Sequence, residues 1–119
     1  MDAAIERARY EFGAVRANLD KLGFRGMPIV IGETGWKADP ASHAGRTHPV
    51  NQKMYLDRLE SWVAQARMGG SGPRQAFWFE AFDEPWKQGD DKWGLFNKDR
   101  QARYAIQSIN PSGTPVGTT

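Results

Sequence analysis

Residues 28–32, Pro-Ile-Val-Ile-Gly, form a short and nearly continuous apolar run rich in β-branched side chains, and the run closes on a carboxylate, Glu33. Such a run predicts a strand covered on both faces, as in a parallel sheet, because a strand with one wet face alternates polar and apolar residues. A second strand is predicted over Gln75 to Phe82, QAFWFEAF, which is dense in aromatics and again finishes in acids, Asp83 and Glu84. Two strands do not make a domain. A buried parallel pair needs further strands on its edges and helices on both faces. The 119 residues are therefore expected to be the C-terminal portion of a larger α/β unit, with Met1 an artificial or mis-assigned start.

Helical periodicity fills the rest of the pattern. From Ile5, apolar residues recur at Ala8, Phe12, Val15, Leu19 and Leu22 in steps of three and four, one face of a helix of about five turns that stops at Gly23. The linker FRGM then runs into Pro28, and Thr34 to His48 reads as a long loop rich in Gly, Pro, Ser and charge. Pro49 suits the opening of a second helix with Tyr55, Leu59, Trp62, Val63 and Ala66 on its apolar face and an end before Gly69-Gly70. A short third helix is expected through Ala102, Ala105, Ile106 and Ile109, with Asp99 as N-cap and Asn110-Pro111 as the stop. Residues 1–110 then form the partial domain, and 111–119 a disordered tail. The order helix, strand, helix, strand, helix makes the two strands parallel neighbours joined by a right-handed crossover.

Composition removes several function classes. With no cysteine, disulfide frameworks, thiolate metal sites and a cysteine nucleophile are excluded. The 16 Lys and Arg are interleaved with 14 Asp and Glu and nowhere form a run, so nucleic acid is not an expected partner. No apolar stretch approaches the roughly 20 residues of a membrane span. The N-terminus MDAAIERARYEF is an acid- and base-rich helix rather than a signal peptide, so an export signal of the natural protein would lie outside this chain. No GxSxG elbow, P-loop or dinucleotide fingerprint is present, and no cofactor is expected. The histidines, His43 and His48, share one loop without a carboxylate at ligand spacing and read as surface residues, so no metal is expected either.

Chemistry in parallel α/β architectures concentrates where strands end and loops begin. An acid placed directly after Ile-Val-Ile-Gly is costly unless paired or used, so Glu33 is either a structural acid, capping or salt-bridged, or a catalytic one. Gly32 allows close approach, and Trp36 offers a flat face of the kind that packs on the C–H face of a sugar ring. The second loop repeats the theme, with Trp86, Lys87 and Trp93 around Glu84, Asp90 and Asp91. Acids interleaved with tryptophans suit a carbohydrate cleft better than a phosphate site, which would use glycine-rich turns and cations. Trp62 and Trp78 read as core, and Trp36, Trp86 and Trp93 as cleft residues.

Three motifs in order, IVIGETGW at 29–36, FWFEAFDEPWK at 77–87 and KWGLF at 92–96, resemble the C-terminal part of glycoside hydrolase family 17, the β-1,3-glucanases. The resemblance implies a (β/α)8 TIM barrel in which the two strands are the seventh and eighth, and retaining hydrolysis of β-1,3-glucan or a related oligosaccharide. It makes Glu33 the nucleophile, with Glu84 and Lys87 in a supporting network that holds its charge and orientation. Asp90 joins that network where plant members carry the longer Glu, and Trp36 and Trp93 contact substrate. The family's proton donor comes from the end of the fourth strand, for which this chain has no counterpart, and the resemblance gives Glu80 no donor role. The isolated chain is thus expected to be inactive and to need the N-terminal part of the barrel. The EAFDEPWK form resembles fungal and proteobacterial members, some of which transfer glucan chains, so transglycosylation stands beside hydrolysis, and a non-catalytic glucan-binding remnant beside both. If the full protein follows the family, its location is extracytoplasmic or in the cell envelope.

Overall fold

A computed structural model describes residues 1–39, 45–87 and 92–107. Helix α1 (Asp2–Lys21) leads into strand β1 (Val30–Thr34), helix α2 (Pro49–Arg67), strand β2 (Gln75–Trp78) and a 3-10 turn at Tyr104–Ile106.

Local chemistry sets both helix ends. Beyond α1 the Gly23 N–H donates to Asp20 O at 3.1 Å and the Phe24 N–H to Leu19 O at 2.8 Å, a Schellman pair made possible by Gly23 at φ 88°. The same pattern closes α2, with Gly69 (φ 96°) donating to Ala66 O and Gly70 to Gln65 O. At the start of α2, Pro49 takes the first turn and His48 Nδ1 accepts the Val50 N–H at 3.1 Å. His48 is therefore a helix cap rather than the plain surface residue its loop position suggests.

The strands pair in parallel, as the chain order requires, with Val30 opposite Gln75 and Ile31 opposite Ala76. Their limits differ from expectation. Pro28 has no N–H for a ladder, and β1 instead runs on through Glu33 to Thr34, whose carbonyl accepts the Phe79 N–H at 2.7 Å. The second strand keeps only its first four residues. After it the Phe79-Glu80 peptide is cis, and the chain pairs with the KWGLF segment: Leu95 N–H donates to Glu80 O, Phe96 N–H to Ala81 O and Asp83 N–H to Phe96 O.

The short third α-helix is absent over the described residues. Phe96 bridges Ala102, and the Arg103 N–H donates to Leu95 O at 2.8 Å, so these residues are extended where the helix should begin. Asp99 caps nothing; its own N–H donates to Asn97 Oδ1. Ile109, Asn110, Pro111 and the tail 111–119 lie outside the described residues.

The core joins Ile5 and Phe12 of α1 to Tyr55, Leu59 and Trp62 of α2, with Ile29, Ile31, Ala76 and Trp78 packed against them. Phe12 meets Trp62 edge-on at 5.4 Å. Trp62 and Trp78 are thus packing residues. The helices of this chain cover one face of the sheet; Val30 is 46% and Phe77 51% exposed on the other. Among the described residues no helix is long and apolar enough to cross a membrane.

Candidate active site

Glu33 owes its orientation to an irregularity in the ladder. Ile31 pairs with Ala76 and Thr34 with Trp78, so Gly32 and Glu33 together stand opposite Phe77 alone. One extra residue reverses the alternation of side chains. Ile31 and Thr34 consequently both face the helices, the first packed on the core and the second hydrogen-bonded through Oγ1 to the Tyr55 hydroxyl at 2.7 Å. Glu33 points from the opposite face and is exposed. Its carboxylate forms no hydrogen bond or ion pair with another described residue, so neither the structural role of a cap nor that of a salt-bridged acid is fulfilled there.

The loop that follows is held against the second one at short range. A Cβ on Gly35 would stand 1.9 Å from Phe79 O, so only glycine fits. The Ala38 N–H donates to Lys92 O at 2.9 Å. Gln52 of α2, fully buried, aims its amide nitrogen at three carbonyls: Trp36 at 3.1 Å, Gly94 at 3.2 Å and Trp93 at 3.3 Å. Trp36 packs its ring on Tyr55 at 5.5 Å and donates its indole N–H to Arg46 O. Trp93 lies edge-on to Phe79, with the Lys37 ammonium 5.9 Å above its ring. Gly35, Trp36, Lys37, Arg46, Thr47 and Trp93 line one cavity of about 360 Å³.

The acids after β2 divide into two roles. Asp83 is buried and takes a bidentate pair of 2.7 Å hydrogen bonds from Arg103, while Oδ1 also accepts the Gly94 N–H at 2.9 Å. Arg103 in turn donates to Gly94 O at 2.8 Å. Glu84, the next residue, is ion-paired with Lys87 one helical step along the turn. A hydrogen bond from that ammonium holds the Glu84 carboxyl below its usual range; desolvation opposes it, and a weaker hydrogen bond with Glu80 adds to the lowering. The Lys87 ammonium also sits 5.3 Å from the Phe79 ring centre.

The structure therefore brings Glu84, Lys87 and Glu80 together, and Trp36 with Trp93. Among the described residues Glu33 forms no hydrogen bond or ion pair with Glu84 or Lys87. Lys87 is committed to Glu84. Trp86 is 75% exposed on the turn between them, and Asp90, Asp91 and His43 lie outside the described residues. Sequence reasoning missed Gln52 and Arg103. Gln52 stands three residues before Tyr55, on the apolar stripe of α2, which is the one signal that could have revealed it. Among the described residues, no group of three or more His, Asp and Glu is placed to hold a metal ion.

Comparison with known proteins gives a consistent picture. A glucan 1,3-beta-glucosidase of Arthroderma benhamiae is 33% identical over 103 residues, covering 77% of this chain and 32% of the relative. A provisionally named glucan endo-1,3-beta-glucosidase of Aspergillus niger is 33% identical over 104 residues, covering 73% of the chain and 15% of the relative. A glucan endo-1,3-beta-glucosidase of Emericella nidulans is 32% identical over 100 residues, covering 66% and 14%. The chain thus spans between about a seventh and a third of the length of these relatives. Residues 12–108 match the glycosyl hydrolases family 17, the family to which this chain belongs.

Proposed function

We propose that the chain is the C-terminal portion of a (β/α)8 barrel, comprising its seventh and eighth strands, in a retaining enzyme that acts on β-1,3-glucan. The supporting observation is the ladder irregularity at Gly32-Glu33, which turns an unpaired carboxylate to the sheet face that the helices leave open. In a barrel of this kind that face is the interior, and strand ends there carry the catalytic groups.

Glu33, ionised, attacks the anomeric carbon of a glucosyl unit to give a covalent intermediate. The proton donor is a second carboxyl about 5–5.5 Å away, as retention requires, supplied by the part of the barrel that this chain does not contain. Glu84 and Lys87 support the charge and orientation of Glu33 in this reading, Asp90 is assigned to the same network, and Trp36 and Trp93 present ring faces to the sugar chain. The described part of residues 1–110 belongs to the barrel in this reading. The location that goes with this reading is extracytoplasmic or in the cell envelope.

The test joins this chain to the preceding barrel segment of the Arthroderma benhamiae relative and measures laminarin turnover. Glu33→Gln is expected to lower turnover by on the order of 10³-fold or more while laminarin still binds; undiminished turnover overturns the assignment. Chromatography of the products separates hydrolysis from transfer, since oligosaccharides longer than the substrate arise only by transfer. An inactive chimera that still binds laminarin would favour the glucan-binding reading.

A further inference from the structure

The cavity lined by Gly35, Trp36, Lys37, Arg46, Thr47 and Trp93 combines two features that a neutral glucan does not call for together. One is an aromatic lining, Trp36 and Trp93, suited to the C–H face of a sugar ring. The other is a pair of cations. The Lys37 ammonium lies over the Trp93 ring at 5.9 Å, so a ring stacked beside Trp93 comes close to a full positive charge. Arg46 is exposed and, among the described residues, neither Lys37 nor Arg46 forms an ion pair.

Lys21, Arg25, Arg67, Arg74, Lys92 and Arg100 likewise form no ion pair among the described residues, but of these unpaired cations only Lys37 and Arg46 line this cavity. Arg7, Lys53, Arg58, Lys87, Lys98 and Arg103 are each balanced by a carboxylate. The backbone of Arg46 is fixed by the Trp36 indole N–H at 2.8 Å, and Asn51 donates to the same carbonyl at 2.9 Å. The arginine is therefore anchored at the cavity wall with its guanidinium uncommitted. Its planar fork suits a carboxylate or a phosphate ester, and the lysine supplies a point charge beside it.

We infer that this cavity is a subsite for a glucosyl unit carrying an anionic substituent, a carboxylate or a phosphate ester, on a β-1,3-glucan chain. The inference rests on the glucan reading of the family site and adds to it the substrate class. Trp36 and Trp93 hold the ring, and Lys37 and Arg46 hold the charge. No covalent step is involved.

The experiment uses the chimera that joins this chain to the preceding barrel segment of the Arthroderma benhamiae relative, and follows its tryptophan fluorescence at low ionic strength. It is titrated with neutral laminarihexaose, the same oligosaccharide carboxylated at C6, the C6 phosphate ester, and inorganic phosphate. At least one of the two charged oligosaccharides is expected to bind about five- to tenfold more tightly than the neutral one, with the preference fading as salt is raised. Lys37→Gln and Arg46→Gln, checked for folding by near-ultraviolet circular dichroism, should each bring the ratio toward one. Lys21→Gln, at the end of α1, should leave the ratio as it is. Equal binding of charged and neutral oligosaccharides overturns this inference and leaves the glucan reading standing. Failure of the folded chimera to bind any oligosaccharide overturns both. Inorganic phosphate binding as tightly as the phosphorylated sugar, with the same dependence on Lys37 and Arg46, also overturns it, since the site would then recognise a free anion.

Discussion

Asp83 and Arg103 face each other through two parallel 2.7 Å hydrogen bonds, with side chains only 3% and 9% exposed. The pair also grips both backbone groups of Gly94, so one ion pair fixes the loop that carries Glu84 to the segment that carries Trp93. Removing one partner leaves the other charge buried without compensation. Arg103→Met is accordingly expected to cost about 3–5 kcal/mol of stability, read from urea unfolding. The double variant Asp83→Leu/Arg103→Met should recover part of that loss. A single variant within about 0.5 kcal/mol of wild type would mean that the pair is not desolvated in solution.

Gly32 and Gly35 stand three residues apart on either side of Glu33 and predict opposite outcomes. A methyl group on Gly32 would enter open space, whereas on Gly35 it would overlap Phe79 O. Gly32→Ala should leave stability unchanged or raise it by about 0.5 kcal/mol through the unfolded chain's entropy. Gly35→Ala must separate the two loops and should destabilise by at least about 2 kcal/mol. Thermal melts of the two variants side by side check this, and a similar change in both would contradict the close approach.

Glu84 supplies the pH dependence. Its folded carboxyl titrates below the ordinary range, first because of Lys87 and then because of Glu80. A depressed folded value stabilises the fold above the unfolded value, about 4.3 for glutamate, and that contribution disappears as pH falls through the folded value. The stability of wild type relative to Glu84→Gln should therefore shrink on acidification below that range. Carbon-detected NMR of the carboxyl should show Glu84 moving back up in Lys87→Met. An unmoved titration would assign the depression to another neighbour.

How much of this was legible in the sequence follows from the range of each interaction. Gly23 and Gly69 end helices through bonds to carbonyls three residues back, with the next residue in each case bonding five back, and the apolar stripe of α2 repeats every three or four residues, so both could be read locally. The family could be read from three motifs, each compact. The end of β2 could not, because FEAF is as strand-like as QAFW and only its pairing with residues 93–96 draws it out of the sheet. The same non-local demand removed the third helix, since Ala102 and Arg103 are extended to meet Phe96 and Leu95. Within the candidate site, Glu33 stood out as an acid after an apolar run, but the irregularity that turns it depends on the register with β2. Arg103, twenty residues from Asp83, carried no signal beyond its charge.

Gln52 gives the last test, because it links α2 to both site loops. Its amide nitrogen serves the carbonyls of Trp36, Trp93 and Gly94 from a fully buried position. Truncation to Ala leaves those carbonyls without that donor and opens a gap under the loops, at an expected cost of about 1–3 kcal/mol. The loss should be local before it is global. The Ala38 N–H, which crosses between the loops to Lys92 O, should exchange with deuterium markedly faster in Gln52→Ala, while amides in the middle of α1 keep their protection up to the reduced global stability. Trp36 and Trp93 ride on the same loops, so laminarihexaose binding should weaken in parallel with the gain in Ala38 exchange. Unchanged Ala38 exchange would show that the loops hold together without Gln52, and that the Gly35 contact with Phe79 suffices.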